Sequence, residues 1–526
     1  MIRSRLSCVL LSVFLFPALA DQVGRLDAVG EGGPSLERLT PALPRIPGRT
    51  FRLADFGAVG DGKTLNTDAF KEAVAAVEKA GGGRLVVPKG VFRTRPFTLC
   101  SNLDLHLEGG AVIQAPDTLE ALGLPDPRTL KSQADVTERV KVPDPLISGR
   151  NLHDVAVTGS GTIDGSGRHW WEWSERAARA VAGTEPGRIV YPRPNLVVIS
   201  GCERLRVADV TLANSSKFHL VPSNVTDLTI ERVKVRAPFD APNTDAIDVG
   251  PGTNFLVRDC DIDTGDDDIV IKNGGTNILI ENNRIRHGHG ISIGSGTTAG
   301  IHHMLVRHCR LEGTDNGIRI KSMRGAGGPV DDVRYTDIRM KNVPNAIVFI
   351  LDYVDNNRPD FKGDPTKVPS IRDVLVDNAT IEGSENAGRI AGLPDSPIRG
   401  VTFRKVRITA ENDLVIKDLF LAKARALKVD VPASELDTAY AEARKNIPED
   451  AFQQELAKRN LTAADMREGL RRELVGQHRS ARWTRCAPSE THRTGVPARS
   501  CTWILSRQRA GNRLIDVGVV GGKGSC

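Results

Sequence analysis

Short runs of β-branched residues recur along the chain at a spacing of twenty-odd residues, and this repeat constrains the fold more than any other feature. The steps are 22, 22, 27 and 29 residues when the runs are aligned on Ile247, Ile269, Ile291, Ile318 and Ile347. A second set of runs lies between them and begins at Phe255, Ile278, Met304 and Val333. A repeat of this length that holds several strands is typical of a solenoid, whose coils bury their apolar faces against one another.

An all-β, right-handed parallel β-helix therefore fits the pattern best. Leucine-rich repeats need fixed leucines that are missing here, and a propeller repeat is about twice as long. The composition agrees, because 51 glycines and only 5% aromatics suit short strands and tight turns better than a helical bundle.

The charge balance is mildly basic, with 71 basic and 65 acidic residues and a net charge of +6. It permits an acidic substrate without indicating one. No basic block interleaved with aromatics indicates nucleic acid, and no stretch beyond the N-terminus is apolar enough to cross a membrane. We expect a monomer that binds neither nucleic acid nor membrane.

The first twenty residues have the features of an export signal. Arg3 and Arg5 provide a charged start, Val9–Phe16 is a short apolar run, and Ala18-Leu19-Ala20 is a cleavage site of small residues. We expect cleavage near Ala20 and a secreted or periplasmic protein.

Cleavage would also remove Cys8 and leave seven cysteines, namely Cys100, Cys202, Cys260, Cys309, Cys486, Cys501 and Cys526. They form no zinc-type CxxC pairs. Their odd number and wide spacing leave any disulfide pairing open. We expect Cys202, Cys260 and Cys309 to be buried packing residues.

Residues 21–47 are rich in proline and glycine and are predicted to form a linker. A helix is predicted over Thr67–Lys79, with Asn66 as its N-cap and an apolar face formed by Phe70, Val74 and Val77. This helix would cover the open end of the coil stack, where bare strand edges promote aggregation.

The run Arg84–Pro88 follows the helix and is predicted to be the first strand. The β-helix domain is then expected to span residues 48–414.

The repeat also arranges charged side chains in a column. Asp245, Asp267 and His289 are 22 and 22 residues apart, in step with the isoleucines. Because each coil rises by one strand spacing of about 4.8 Å, the three should lie on adjacent coils, with Asp266 beside them. Crowded carboxylates allow one to remain protonated while another is ionised, and glycoside hydrolysis needs that division of roles.

Two cations belong to the next coil. Arg319 and Lys321 alternate with Ile318 and Ile320, which should face the core, so both cations should point outward. Such cations pair well with the carboxylates of a sugar-acid polymer.

Four segments in this order resemble the signature of glycoside hydrolase family 28, the polygalacturonases. They are Asn243-Thr244-Asp245, Gly265-Asp266-Asp267, Gly288-His289-Gly290 and Arg319-Ile320-Lys321. The resemblance covers about residues 50–412 and includes the segment 56–62 and the segment 161–165 followed by Trp170-Trp171.

The resemblance implies hydrolysis of α-1,4-galacturonosyl linkages of polygalacturonate, with inversion and without metal or cofactor. Asp266 would be the general acid, and Asp245 and Asp267 would position and deprotonate water. His289 would set the protonation of the acid.

On the same resemblance, Arg319 and Lys321 would hold a galacturonate carboxylate, and Tyr353 would contact the substrate. Ala246 departs from the glycine that the family commonly carries there. Carboxylates one coil apart would also lie closer than the roughly 6.5–9.5 Å usual for inverting enzymes.

After about Leu414 the β pattern gives way to helical periodicity over 434–445, 449–459 and 462–477. Ser434 and Thr462 are predicted N-caps. Residues 415–477 resemble the N-terminal chaperone region of SurA-like periplasmic prolyl isomerases. Residues 478–526 lack periodicity and are predicted to be disordered.

Two other function classes remain open from the sequence. One is a calcium-dependent polysaccharide lyase on a similar β-helix, and the other is a non-catalytic binding or chaperone protein. The sequence does not distinguish endo from exo cutting, and it does not predict whether methyl esters are tolerated.

Overall fold

Each coil of the chain contributes strands to three parallel sheets that enclose one apolar core. The structure is a computed structural model that describes residues 35–174, 189–355, 361–416, 433–444 and 448–458, with isolated positions at 462–463, 466–467, 470–471, 501–505 and 518–520. The predicted signal peptide lies outside the described residues. The predicted parallel β-helix is confirmed.

The first sheet carries the aligned isoleucines, and its short strands are Phe97–Thr98, Ile247–Val249, Ile269–Ile271, Ile291–Ile293, Asn316–Lys321 and Asn345–Ile350. The strands of the second sheet are Thr50–Arg52, Gly83–Val87, Leu103–Leu107, Gly252–Arg258, Gly275–Glu281, Ile301–Arg307, Pro329–Thr336, Ser370–Asp377 and Arg399–Arg404.

The strands of the third sheet are Asp61–Leu65, Gly90–Arg93, Ala111–Gln114, Thr162–Asp164, Thr211–Ala213, Lys234–Arg236, Asp261–Asp263, Arg284–Arg286, Arg310–Glu312 and Arg339–Lys341. Longer strands turn a corner and pair in two sheets, and these are Ile147–Gly159, Val197–Ala208, Leu220–Glu231, Thr380–Ala391 and Val406–Ile416.

The isoleucine column is in register across the first sheet. Ile247 pairs with Ile269, Ile269 with Ile291, Ile291 with Ile318, and Ile318 with Ile347. All five side chains are fully buried. The second column, starting at Phe255, is likewise paired coil to coil. The repeat predicted from sequence is therefore the repeat of the structure.

The N-terminal helix α1, Thr67–Lys79, has the predicted bounds and buries Phe70, Val74 and Val77. The Phe70 ring stacks on Phe97 with centroids 4.6 Å apart. The predicted cap is wrong, because the Asn66 side chain makes no hydrogen bond to the helix. Its amide instead bonds the main chain of the preceding segment, at Val59 and Thr64.

Two strands precede the one predicted to be first. Thr50–Arg52 and Asp61–Leu65 pair with Gly83–Val87 and Gly90–Arg93, respectively. Their side chains are mostly exposed, so they lack the apolar run by which a buried strand is recognised.

Part of the predicted linker packs on the solenoid, and we call residues 35–47 the strap. Its Leu36 and Leu39 are buried against Leu256, Leu279 and Leu305 on the outer face of the second sheet. The Arg45 amide donates to Asp154 Oδ1 at 2.7 Å. The strap thus covers apolar side chains that point away from the core.

The other α-helices of the described ranges are α2 (Gln133–Arg139), α3 (Arg168–Trp171), α4 (Ala433–Ala443) and α5 (Glu449–Lys458), with short 3-10 helices at Leu36–Arg38, Leu53–Phe56, Glu120–Leu122 and Pro127–Thr129. Helices α4 and α5 confirm a helical appendage, which buries Tyr440 against Phe452. Ser434 lies inside α4 rather than capping it. Most of the predicted helix 462–477 lies outside the described residues.

The described residues of the predicted disordered tail form two short strands. Cys501–Leu505 pairs antiparallel with Val406–Ile416, and Gly518–Val520 pairs antiparallel with Cys501–Leu505. The sequence predicted no strands at these positions, because neither run is long enough to show a period. The rest of 478–526 lies outside the described residues. The four cysteines from Cys100 to Cys309 are buried and unbridged, as expected for Cys202, Cys260 and Cys309.

We predict that Ile269→Ala lowers the free energy of unfolding by about 2–5 kcal/mol, because it leaves a cavity in a fully buried column. The measurement is a urea unfolding curve. Val142→Ala, at a position 66% exposed, is the matched control and should change stability by no more than about 0.5 kcal/mol. Equal effects of the two changes would contradict the shared core.

Candidate active site

Asp245, Asp267 and His289 lie at one corner of the solenoid, each two residues before a paired isoleucine of the first sheet. Backbone bonds hold the corner, and the Ala246 amide donates to the Asp267 carbonyl at 2.9 Å. The His289 amide donates to the Asp266 carbonyl at 2.8 Å. The predicted column of side chains is therefore present.

The two glycines around His289 are required by this corner. Gly288 and Gly290 have φ angles of +77° and +73°. A Cβ on Gly290 would lie 2.1 Å from the Asn316 carbonyl oxygen, and one on Gly288 would lie 2.6 Å from the Asp266 carbonyl oxygen. Only glycine fits so close to the main chain of the neighbouring coils in this conformation.

Asp267 is held by both predicted cations. Lys321 Nζ lies 2.9 Å from Oδ2, and the Arg319 guanidinium bonds Oδ1, which also accepts from Ser292 Oγ at 3.0 Å. Burial raises the pKa of Asp267, but the charges of Arg319 and Lys321 outweigh it and hold the pKa well below its usual range. Asp267 is a buried, ionised carboxylate.

Arg319 and Lys321 point away from the core, as predicted, since Ile318 and Ile320 are fully buried within it. They are nevertheless only 9% and 7% exposed, because neighbouring side chains cover them. Burial lowers the pKa of Lys321, and the Asp267 carboxylate partly offsets this.

Asp266 is paired with His289. Asp266 Oδ1 lies 3.2 Å from His289 Nδ1, and Asn243 Nδ2 donates to Oδ2 at 3.4 Å. Burial raises the pKa of Asp266, but the bond to His289 more than offsets this, so the pKa is lowered. Asp315 Oδ2 lies 3.3 Å from His289 Nε2. Although burial lowers it, the pKa of His289 rises to about 10 because of Asp266 and Asp315.

Asp245 is buried at 2% exposure and has a different partner, Lys272, whose Nζ lies 3.0 Å from Oδ2. Its Oδ1 is buried and has no hydrogen-bond partner among the described residues. Burial raises the pKa of Asp245 well above its usual range, although Lys272 opposes the shift. One oxygen of this buried carboxylate thus has unused capacity to accept a hydrogen bond.

Tyr353 also lies at the site. Its ring centroid is 5.4 Å from Lys321 Nζ, and its amide donates to the Ser322 carbonyl at 3.2 Å. Burial raises the pKa of its hydroxyl. All seven residues singled out in the sequence are therefore brought to one corner.

The sequence reasoning missed several charged neighbours. Lys272 contacts Asp245 and Asp315 contacts His289, whereas Asp248 reaches the site through its bond to Lys272. Lys272 occupies the same strand position as Lys321, so the register itself could have shown it. Asp268 was also missed, and it accepts bonds from Gly290 and Thr264 that brace the turn around His289.

The side chains of Asp266, Asp267 and His289 bring one ligand-type atom each within 4.8 Å of one another. The corner is a poor host for a metal ion, because Arg319 and Lys321 already neutralise Asp267 and a further cation would meet their charge.

Residues 82–418 match the profile described as "Glycosyl hydrolases family 28". The chain belongs to this family. It is therefore a hydrolase of glycosidic bonds, and the family predicted from the sequence is confirmed.

Several relatives within the family have names that agree. A "Probable polygalacturonase" from Vitis vinifera is 30% identical over 72% of this chain and 77% of its own length. An "Endo-polygalacturonase" from Pectobacterium parmentieri is 30% identical over 63% of this chain and 81% of its own. The solved exopolygalacturonase from Thermotoga maritima is 27% identical, with a TM-score of 0.56 over 72% of this chain and 95% of that one.

None of the helices in the described ranges has the length and apolar character needed to span a membrane.

We predict that His289 contributes stability that depends on pH. Its pKa is raised in the folded protein, so the contribution is complete below about 6.5, the usual value, and is lost as the pH rises toward about 10. His289→Gln should therefore lower the melting temperature at pH 6 more than at pH 10. Calorimetry at both values measures this.

His287→Gln is the matched control, because His287 pairs with Asp263 at 2.8 Å on the third-sheet side of the same turn. A melting-temperature loss at position 289 that stays constant across the pH range would contradict the prediction.

Proposed function

We propose that this enzyme of family 28 hydrolyses the α-1,4-galacturonosyl linkages of polygalacturonate and so degrades pectin. The observation that carries the proposal is the corner itself, where three carboxylates and His289 adjoin two outward cations suited to an acidic sugar. The names of the relatives support the proposal, since they describe polygalacturonases.

Asp245 and Asp267 are proposed to prepare the attacking water. Asp267 is ionised next to Arg319 and Lys321, and Asp245 presents its unpaired buried oxygen, Oδ1, as an acceptor. Water held between two such acceptors loses a proton to Asp245 as its oxygen attacks the anomeric carbon.

Asp266 is proposed to be the general acid. In the free enzyme the proton resides on His289, which is clamped between Asp266 and Asp315. An anionic substrate that expels water from the site disfavours the charge on Asp266 and raises its pKa. Nδ1 of His289 then passes its proton to Asp266 Oδ1, and Asp266 donates it to the leaving glycosidic oxygen.

The family resemblance implies inversion at the anomeric carbon, and the spacing of the carboxylates bears on this. One oxygen each of Asp266 and Asp267 lie within 4.8 Å, below the roughly 6.5–9.5 Å usual for inverting enzymes. We assign the main base role to Asp245, because its Oδ1 has no hydrogen-bond partner among the described residues, whereas both oxygens of Asp267 are bonded to cations. Asp267 then orients the water.

Arg319, Lys321 and Tyr353 are proposed to bind the galacturonate next to the scissile bond. Lys321 lies between the Asp267 carboxylate and the Tyr353 ring, so it marks one wall of the site. A substrate carboxylate can share its ammonium group, because each lysine offers three donors.

Family membership favours hydrolysis over the lyase that the sequence left open. Digestion of polygalacturonic acid distinguishes the hydrolase from the lyase. A lyase forms unsaturated products that absorb ultraviolet light, and a chelator abolishes their formation. The size of the products over time separates endo from exo cutting, on which the relatives' names differ.

Export with cleavage near Ala20 and the SurA-like nature of residues 415–477 stay predictions from sequence. So do the monomeric state and the absence of a cofactor. The alternative of a non-catalytic binding or chaperone protein would be favoured if the folded protein failed to turn over any acidic polysaccharide.

We predict that Asp266→Asn lowers kcat on polygalacturonate by about 10²–10⁴-fold, because the amide cannot donate the catalytic proton. Substrate binding, measured by calorimetry, should persist. Asp263→Asn is the matched control on the same coil, where the carboxylate pairs with His287 in the third sheet, and it should keep its activity. Lost binding with normal turnover of the bound complex would contradict the role of Asp266.

We predict that Lys321→Met raises KM for polygalacturonate about tenfold or more, and raises KM for methyl-esterified oligomers much less. The ester removes the substrate charge and leaves its shape nearly intact. Lys341→Met, at an exposed position in the third sheet of the following coil, is the control. Equal increases on both substrates would rule out a carboxylate contact.

A further inference from the structure

Lys272 follows the strand Ile269–Ile271 and inserts its ammonium group between two buried carboxylates. Its Nζ lies 3.0 Å from Asp245 Oδ2 and 2.6 Å from Asp248 Oδ2. It also lies 4.6 Å from the centroid of the Phe218 ring, where a cation is attracted by the aromatic face. Three contacts from two coils therefore fix the ammonium group.

We propose that Lys272 is a positioning residue that favours the ionised form of Asp245 and orients its carboxylate for the attacking water. The inference rests on the proposed hydrolysis and extends it to a residue outside the family signature. A base must be ionised to accept a proton, and burial at 2% exposure opposes ionisation of Asp245. The ammonium group partly offsets that cost and holds Oδ2, while Oδ1 has no hydrogen-bond partner among the described residues.

The other cations of the corner are engaged elsewhere. Arg319 and Lys321 both bond Asp267, the second member of the water-binding pair. Among the described residues, Lys272 is the cation in ionic contact with Asp245. Each carboxylate of the pair thus has its own counter-charge, and loss of one cation should affect its partner first.

The titratable groups facing Asp245 and Lys272 come from several coils, and they are Asp248, Asp266, Asp267, His219 and Lys321. His219 adds no charge at neutral pH, because burial lowers its pKa to about 4. Its Nδ1 lies 3.0 Å from the Asp245 carbonyl oxygen, and it steadies the main chain there.

Asp248 competes with Asp245 for the same ammonium group, and this makes the proposal testable in two directions. Removing Lys272 should make Asp245 harder to ionise. Removing the charge of Asp248 should make Asp245 easier to ionise, because Lys272 is then left to Asp245 and a repelling carboxylate is gone. A purely structural role would not shift the two variants in opposite directions.

The experiment is the pH profile of kcat/KM on polygalacturonate for the full-length protein. Its acid limb reports the pKa of the base, as an apparent value for the coupled carboxylates of the corner. Lys272→Met should move the acid limb to higher pH by about 1 unit or more, because a close opposite charge is worth about 1–3 units. Asp248→Asn should move it to lower pH.

Two further variants complete the design. Lys272→Arg retains the charge and should move the limb less than Lys272→Met does. Lys217→Met is the matched control. It removes the other lysine over the Phe218 ring, 5.0 Å from the centroid, while the Lys272–Asp245 ion pair stays in place. The limb should not move.

Acid limbs that stay unmoved, or that move in the same direction in Lys272→Met and Asp248→Asn, overturn the role of Lys272 while leaving the hydrolase intact. A wild type that releases no reducing ends from polygalacturonate overturns the proposed function and this inference together. If Lys272→Met fails to fold by circular dichroism, the direction of the Asp248→Asn shift decides.

Discussion

The in-register stacking of coils is the constraint on which the rest of this molecule depends. Each isoleucine of the first sheet lies directly over the equivalent residue of the next coil, so the backbone ladder and the apolar core set the same spacing. A coil cannot slip by one residue, because a slip would turn its whole apolar set outward. Side chains at equivalent positions therefore stay one strand spacing apart, whatever their charge.

That rigidity keeps like charges close together, whereas on a mobile scaffold they would move apart. Asp245 and Asp267 occupy equivalent positions on adjacent coils and are both buried, yet their pKa values move in opposite directions. The difference lies in their partners: two cations bond Asp267, whereas Asp245 shares a single lysine with Asp248. Separate environments for neighbouring carboxylates are what an acid–base hydrolase needs.

Outside the corner, the chain protects the solenoid by covering its exposed faces. Helix α1 closes one end, and the strap lays Leu36 and Leu39 over three leucines on the outer face of the second sheet. These contacts were not foreseen, since a proline- and glycine-rich segment carries no period. Asn66 was misassigned for a related reason, because a capping sequence does not reveal which backbone groups lie within its reach.

The sequence alone determined the repeat, the sheet that carries the site and the seven residues gathered there, because a solenoid converts spacing along the chain into position in space. It could not determine which charges meet. That Arg319 and Lys321 both bond Asp267, and that Lys272 supplies the counter-charge of Asp245, depends on how side chains from different coils extend and bury one another. Burial and pairing arise from packing in three dimensions, so only the tertiary structure decided the protonation of the site.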